Sequence, residues 1–97
     1  MQTGRQYFVY LMTNQWNRVL YTGVTSDLRR RVEQHRSKLG GVFSAKYGVK
    51  KLVYYEVYGD PVSAIAREKQ IKGGSRKAKL ELVGGTNPRW RDLAEDL

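Results

Sequence analysis

Cysteine is absent from this 97-residue chain, histidine occurs once and proline only twice. Without cysteine there is no disulfide framework and no thiolate metal site, which fits a cytoplasmic protein. No apolar run approaches the ~18 residues of a membrane-spanning helix, so no membrane partner is expected. Met1 to Arg5 carries none of the apolar stretch that a signal peptide needs. Acid is also scarce: nine Asp and Glu stand against 18 Lys and Arg, for a net charge of +9. What is present suits a small globular protein, since 40% of the residues are hydrophobic and 11% aromatic, more than a disordered chain carries. The length supports one domain over residues 1–97 with one modest core.

The positive charge is unevenly spread. Arg29 to Lys51 contains eight basic residues and one acid, Glu33, and Arg67 to Lys79 contains six and one, Glu68. Arg89 to Leu97 reverses to two basic and three acidic. Such stretches suit a polyanion, because each phosphate neutralised by Lys or Arg releases condensed counterions. A pI of 10.0 in a folded domain points to nucleic acid.

Residues 7–13 and 19–24 are aromatic and β-branched and read as two strands of a hairpin across Asn14 to Arg18. By alternation Tyr21 and Gly23 face one way, and Leu20, Thr22 and Val24 the other. Gly23 permits a close approach by another group. A helix follows, capped by Thr25 or Ser26 with Asp27 at its positive end and Gly40 as its stop. Leu28, Val32 and Leu39 share a stripe with His35, and Arg31 lies about 40° from His35 at ~100° per residue. Arg29, Arg30 and Arg36 point elsewhere, to solvent or phosphate. Gly40 to Gly48 reads as a loop and residues 51–58 as a third strand. Asp60-Pro61 starts a helix running to about Lys72 before Gly73-Gly74. Its apolar face holds Ala64, Ile65 and Ile71 with Glu68 among them. A further helix spans Ser75 to Val83 before Gly84-Gly85, and Asn87-Pro88 caps a short last one containing Trp90 and Leu93. The expected fold is α+β: a small three-stranded antiparallel-type sheet flanked by helices, in the order β-β-α-β-α-α.

A carboxylate on an apolar stripe costs several kcal/mol unless it is paired or bound to a cation. An ion pair with Arg31 or a metal would satisfy Glu68. Phosphodiester hydrolysis needs a water, a base and positive charge for the developing phosphorane. An arginine fork grips phosphate, and a tyrosine or a histidine can take the proton. A single carboxylate can hold Mg2+ or Mn2+ whose remaining ligands are water and phosphate oxygens.

Phe8-Val9-Tyr10 and Tyr21-Thr22-Gly23, followed by Arg31, His35 and Glu68 in that order, resemble the motifs of the GIY-YIG endonuclease superfamily, small stand-alone bacterial type. Asn87-Pro88-Arg89-Trp90-Arg91-Asp92-Leu93 is similar to the tail of those members. The resemblance implies a GIY-YIG-like nuclease domain that cuts DNA to 3′-hydroxyl and 5′-phosphate ends with one divalent ion, Mg2+ or Mn2+. Single-stranded or structured DNA is a candidate target. It further implies Tyr21 as general base or water activator, Tyr10 as orienting group and Arg31 as phosphorane stabiliser. His35 would assist proton transfer or contact phosphate, the base being Tyr21 or His35, and Glu68 would hold the metal. Gly23, Arg30, Lys46, Lys72, Arg76 and Lys77 are the expected nucleic-acid-binding positions. Some family members dimerise, so a homodimer is open to this chain. Phe8, Val9 and Thr22 depart from the name motifs at strand positions, where packing consequences are expected. Val24 stands where excision-repair relatives have lysine, which argues against an excision-repair role. The alternative is a catalytically inactive nucleic-acid-binding module; a structural or protein-interaction domain ranks third.

Overall fold

Apolar residues on both faces of β1 (Tyr7–Thr13), buried from Val9 onward, suit it to the middle of the sheet. The computed structural model describes residues 5–37 and 46–97. β1 pairs antiparallel with β2 (Leu20–Thr25) on one side and with β3 (Lys51–Tyr58) on the other, giving the order β2-β1-β3. Tyr10 lies opposite Gly23 on β2 and Tyr55 on β3. Because successive side chains point to opposite faces, β1 serves two cores. Val9 and Leu11 pack with Val53, Ala64, Ile71 and Val83, while Tyr10 and Met12 pack with Leu28, Val32, Val49 and Leu52.

The first face is covered by α2 (Pro61–Gly73) and α3 (Arg76–Thr86). The second is covered by α1 (Leu28–Arg36) and a 3-10 turn (Leu93–Asp96). Arranged as β-β-α-β-α-α, the elements form the expected α+β fold.

Several element ends differ from the sequence expectation. Asp27, rather than Thr25 or Ser26, caps α1 by accepting a hydrogen bond from the Arg30 amide at 3.1 Å. The Thr25 hydroxyl is used one step earlier, accepting from the Asp27 amide at 3.0 Å. The α1 cap falls at Ser37, and the expected Leu39 and Gly40 positions lie outside the described residues. Most of the expected loop at 40–48 also lies outside them, but Lys46 and Tyr47 have helical backbone. α3 continues through Gly84-Gly85 to Thr86, since neither glycine adopts a positive φ there. Trp90 is not helical; it holds a left-handed φ of 55° in the turn before the 3-10 segment.

Beyond α3 the chain is fastened to β3. The Asn87 side-chain amide donates to the carbonyls of Val53 (3.1 Å) and Arg91 (2.8 Å) and accepts from the Arg91 amide at 3.0 Å. Asp92 accepts from the Leu52 amide at 3.2 Å and forms an ion pair with Arg36. Arg36 is therefore a structural cation rather than an outward phosphate contact. It also donates to the Lys50 carbonyl at 2.8 Å.

Candidate active site

Tyr10 and Gly23 face each other across β1 and β2, and their pairing shapes the site. A Cβ built on Gly23 would meet Cζ and Oη of Tyr10, each at 2.4 Å. Only glycine lets the phenol lie across β2. The glycine is buried, and the close approach expected at Gly23 is made by Tyr10.

Two side chains from α1 meet that phenol. Arg31 and His35, one helical turn apart on one face, both reach its oxygen. Arg31 Nε donates to Tyr10 Oη at 3.2 Å, and Tyr10 Oη lies 3.1 Å from His35 Nε2. In the tautomer protonated at Nδ1, Nε2 accepts the phenolic proton. A second Arg31 nitrogen donates to Gln34 at 3.0 Å. Tyr21 completes the cluster, its ring centroid 4.8 Å from that of His35 and 6.2 Å from that of Tyr10. Tyr10 is only 1% exposed and His35 2%, whereas Tyr21 and Arg31 are half-buried. Solvent therefore meets the cluster at Tyr21 and Arg31.

Burial pushes the Tyr10 phenol up to about 12, against the opposing hydrogen bond from Arg31. Burial, reinforced by the charge of Arg31, pulls His35 down to about 4. Both are neutral near pH 7 as a result. The Arg31 guanidinium is held above its ordinary value, chiefly by its hydrogen bond to Tyr10 and also by Tyr21. The group is thus a fixed cation against neutral hydrogen-bonding partners.

Glu68 reaches the sheet from the opposite face, on α2. It is half-buried rather than enclosed in an apolar stripe, because the fully inward positions of α2 are Ala64 and Ile71. Ile65, expected on that face, is 42% exposed. The Arg31 ion pair does not form; among the described residues Glu68 has no hydrogen bond or salt bridge. With ~100° per residue, Arg67 and Glu68 lie on opposite flanks of the line through Ala64 and Ile71. Arg67 points to β3, where Nε donates to Glu56 at 2.9 Å. Glu68 lies on the other flank of α2, a helix that packs on β1 and β2 as well as on β3. A half-buried, uncommitted carboxylate fits a hard divalent cation, which takes few protein ligands and completes its shell with water and phosphate oxygens. No cluster of three or more His, Cys, Asp or Glu occurs among the described residues, so a metal held by Glu68 would take most of its ligands from water and substrate.

The chain and its fold have counterparts among known proteins. Residues 6–81 match the GIY-YIG catalytic domain. The chain belongs to the GIY-YIG family. It is 35% identical to a UPF0213 protein of Pseudomonas aeruginosa over 92 residues, covering 95% of this chain and 86% of the relative. A UPF0213 protein of Clostridium perfringens is 34% identical over 78 residues, covering 80% and 84% respectively. The solution NMR structure of a UPF0213 protein from Bacillus halodurans superposes with a TM-score of 0.57 at 26% identity, over 90% of this chain and 92% of that one. The GIY-YIG family is one of nucleases that act on DNA. No helix among the described residues is long and apolar enough to cross a membrane.

The other expected nucleic-acid positions of this GIY-YIG domain, Arg30, Lys46, Lys72, Arg76 and Lys77, are all exposed. Phe8, which departs from the name motif, meets the Tyr55 ring edge-on at 6.2 Å. One group important to the site escaped sequence reasoning. Glu56, on the α2 side of β3, accepts from Arg67, from Tyr58 at 2.7 Å and from Tyr54. Burial alone would raise its carboxyl, but the hydrogen bonds from Arg67, Tyr54 and Tyr58 outweigh it and hold it at about 2. This cluster ties α2, at the residue before Glu68, to β3. The only sequence signal was an acid in an otherwise apolar strand, at alternating spacing with Tyr54 and Tyr58.

Proposed function

We propose that this protein is a divalent-metal-dependent DNA endonuclease that leaves 3′-hydroxyl and 5′-phosphate ends. The reading is carried by the hydrogen-bonded series Arg31–Tyr10–His35 with Tyr21 packed against it at the solvent side. Arg31 presents its remaining guanidinium hydrogens to a phosphate and stabilises the charge that builds on the non-bridging oxygens. Tyr21, the more accessible tyrosine, orients the attacking water and, once ionised to the phenolate, takes its proton. Tyr10 remains a phenol across the physiological range and transmits hydrogen bonding between Arg31 and His35. His35 is buried, so its route to the reaction is through the tyrosine hydroxyls rather than direct phosphate contact. Attack on phosphorus breaks the bond to the 3′ oxygen, which leaves and is protonated; the phosphate stays on the 5′ side. Glu68 would hold Mg2+ or Mn2+, and the ion's chemistry there is neutralisation of charge on the phosphate and the departing oxygen.

The test uses labelled single-stranded, duplex and branched DNA with and without Mg2+ or Mn2+. Cleavage is expected only with metal. It should fall by at least about 100-fold in Arg31→Ala, the scale of losing a transition-state charge contact. Glu68→Ala should lose cleavage while largely keeping DNA binding. Metal-independent binding with no cut product on any substrate would favour the inactive binding module instead.

A further inference from the structure

A groove of about 840 Å³ lies away from the Tyr10–His35 series, at the end of the sheet where β1 turns into β2. Its rim carries two partly exposed aromatic side chains, Trp16 at 68% and Tyr47, already engaged on part of its surface, at 42%. Single exposed hydrophobics are ordinary, but these two share one groove with Lys50, Lys51 and Arg36. Lys46 adds a further cation, its Nζ lying 5.4 Å from the Tyr47 ring.

Trp16 is held out by a built turn. Asn14 Oδ1 accepts from the amides of Arg18 (2.8 Å) and Val19 (3.3 Å), and the Asn17 amide donates to the Asn14 carbonyl at 3.0 Å. The Thr13 hydroxyl donates to the Val19 carbonyl at 2.6 Å. The opposite wall is tied to the same strand end, the Lys50 amide donating to the Thr13 carbonyl at 3.0 Å. The groove's acid Asp92 is occupied by Arg36, which leaves Glu95 as its other acid against the lysines.

We propose that this groove is a second, non-catalytic DNA site that takes unpaired nucleobases, stacking them on Trp16 and Tyr47 while the lysines track the backbone. Aromatic platforms beside a cationic groove bind single strands without regard to sequence, because every base has a π-face. Duplex bases, already stacked and paired, offer no face to these rings. The inference rests on the nuclease reading only in taking the ligand to be DNA.

Titration of the full chain with a fluorescein-labelled oligothymidylate in EDTA, followed by anisotropy, tests it. Trp16→Ala is expected to weaken single-strand binding about tenfold, the scale of losing one stacked base, with Trp16→Phe recovering most of it. Binding of a blunt duplex should change less than twofold. Unaltered single-strand binding in Trp16→Ala would overturn the proposal, as would equal losses for single strand and duplex. Tighter binding of the matching RNA, or a Trp16-dependent self-association with no oligonucleotide effect, would also overturn it. A wild-type protein that stacks single strands in EDTA but never cuts with metal would instead remove the nuclease reading and leave this one standing.

Discussion

At the scale of single residues, space and protonation decide the site. Gly23→Ala places a methyl group 2.4 Å from two atoms of the Tyr10 ring. Such overpacking costs about 1–3 kcal/mol. Tyr10→Phe cannot relieve it, because Cζ clashes as closely as Oη does. Urea unfolding should therefore show both Gly23→Ala and the double variant destabilised; a Gly23→Ala protein of wild-type stability would refute the packing argument. His35 carries a pH signature. Its folded-state value of about 4 lies below the ordinary 6.5, so the fold favours the neutral ring. The stability this provides is complete above pH 6.5 and is lost as pH falls from 6.5 to about 4. Glu56 is held at about 2 against an ordinary 4.5, and its contribution is lost in a separate, lower window. Melting temperature against pH should decline in two stages, with the His35 ring signals in NMR titrating only near pH 4. A midpoint near 6.5 would contradict the burial.

At the scale of elements, α2 is tied to β3 by an ion pair at the residue before Glu68. Arg67 and Glu56 are partly open to water, with side chains 28% and 18% exposed, so Arg67→Met should cost about 1–3 kcal/mol, less than a fully enclosed pair. Its more telling effect is expected on metal. The concentration of Mn2+ giving half-maximal cleavage should rise several-fold while DNA affinity measured in EDTA stays within about threefold, since Arg67 acts by positioning Glu68. Equal changes in both would make Arg67 a DNA contact instead.

The elements also separate what was readable in advance from what was not. Strand alternation and the four-residue spacing of Arg31 and His35 are local periodicities, and they carried the sheet, its facing and half of the site. The use of Gly23, the Glu56–Arg67 pair and the Arg36–Asp92 pair depend on residues distant in sequence, for which no local pattern exists. Glu68 was legible as an anomaly on a helix, but its degree of burial depended on how α2 rolls on the sheet. The continuation of α3 through Gly84-Gly85 shows glycine tolerated in a helix whose Val83 is buried.

For the whole molecule, the charge surplus of +9 should act at long range and be salt-sensitive. Replacing the exposed Lys72, Arg76 and Lys77 together by alanine is expected to reduce the slope of log affinity against log salt by about two to three, with each phosphate contact contributing about 0.7–0.9. Melting temperature should hardly move, as none of the three is buried. An unchanged slope would place the DNA on another surface.

The tail attached to β3 has a consequence for how this domain is bounded. The family match ends at residue 81, yet Asn87 and Asp92 occupy backbone groups of Val53 and Leu52 on an outer strand of the sheet. A chain cut after Thr86 keeps all five candidate catalytic side chains and bares part of that strand's hydrogen-bonding edge. Unprotected edges recruit other strands, so such a fragment should elute in size-exclusion chromatography as concentration-dependent oligomers. What lies past the family-matched unit would then be the seal that keeps one domain from zipping onto the next.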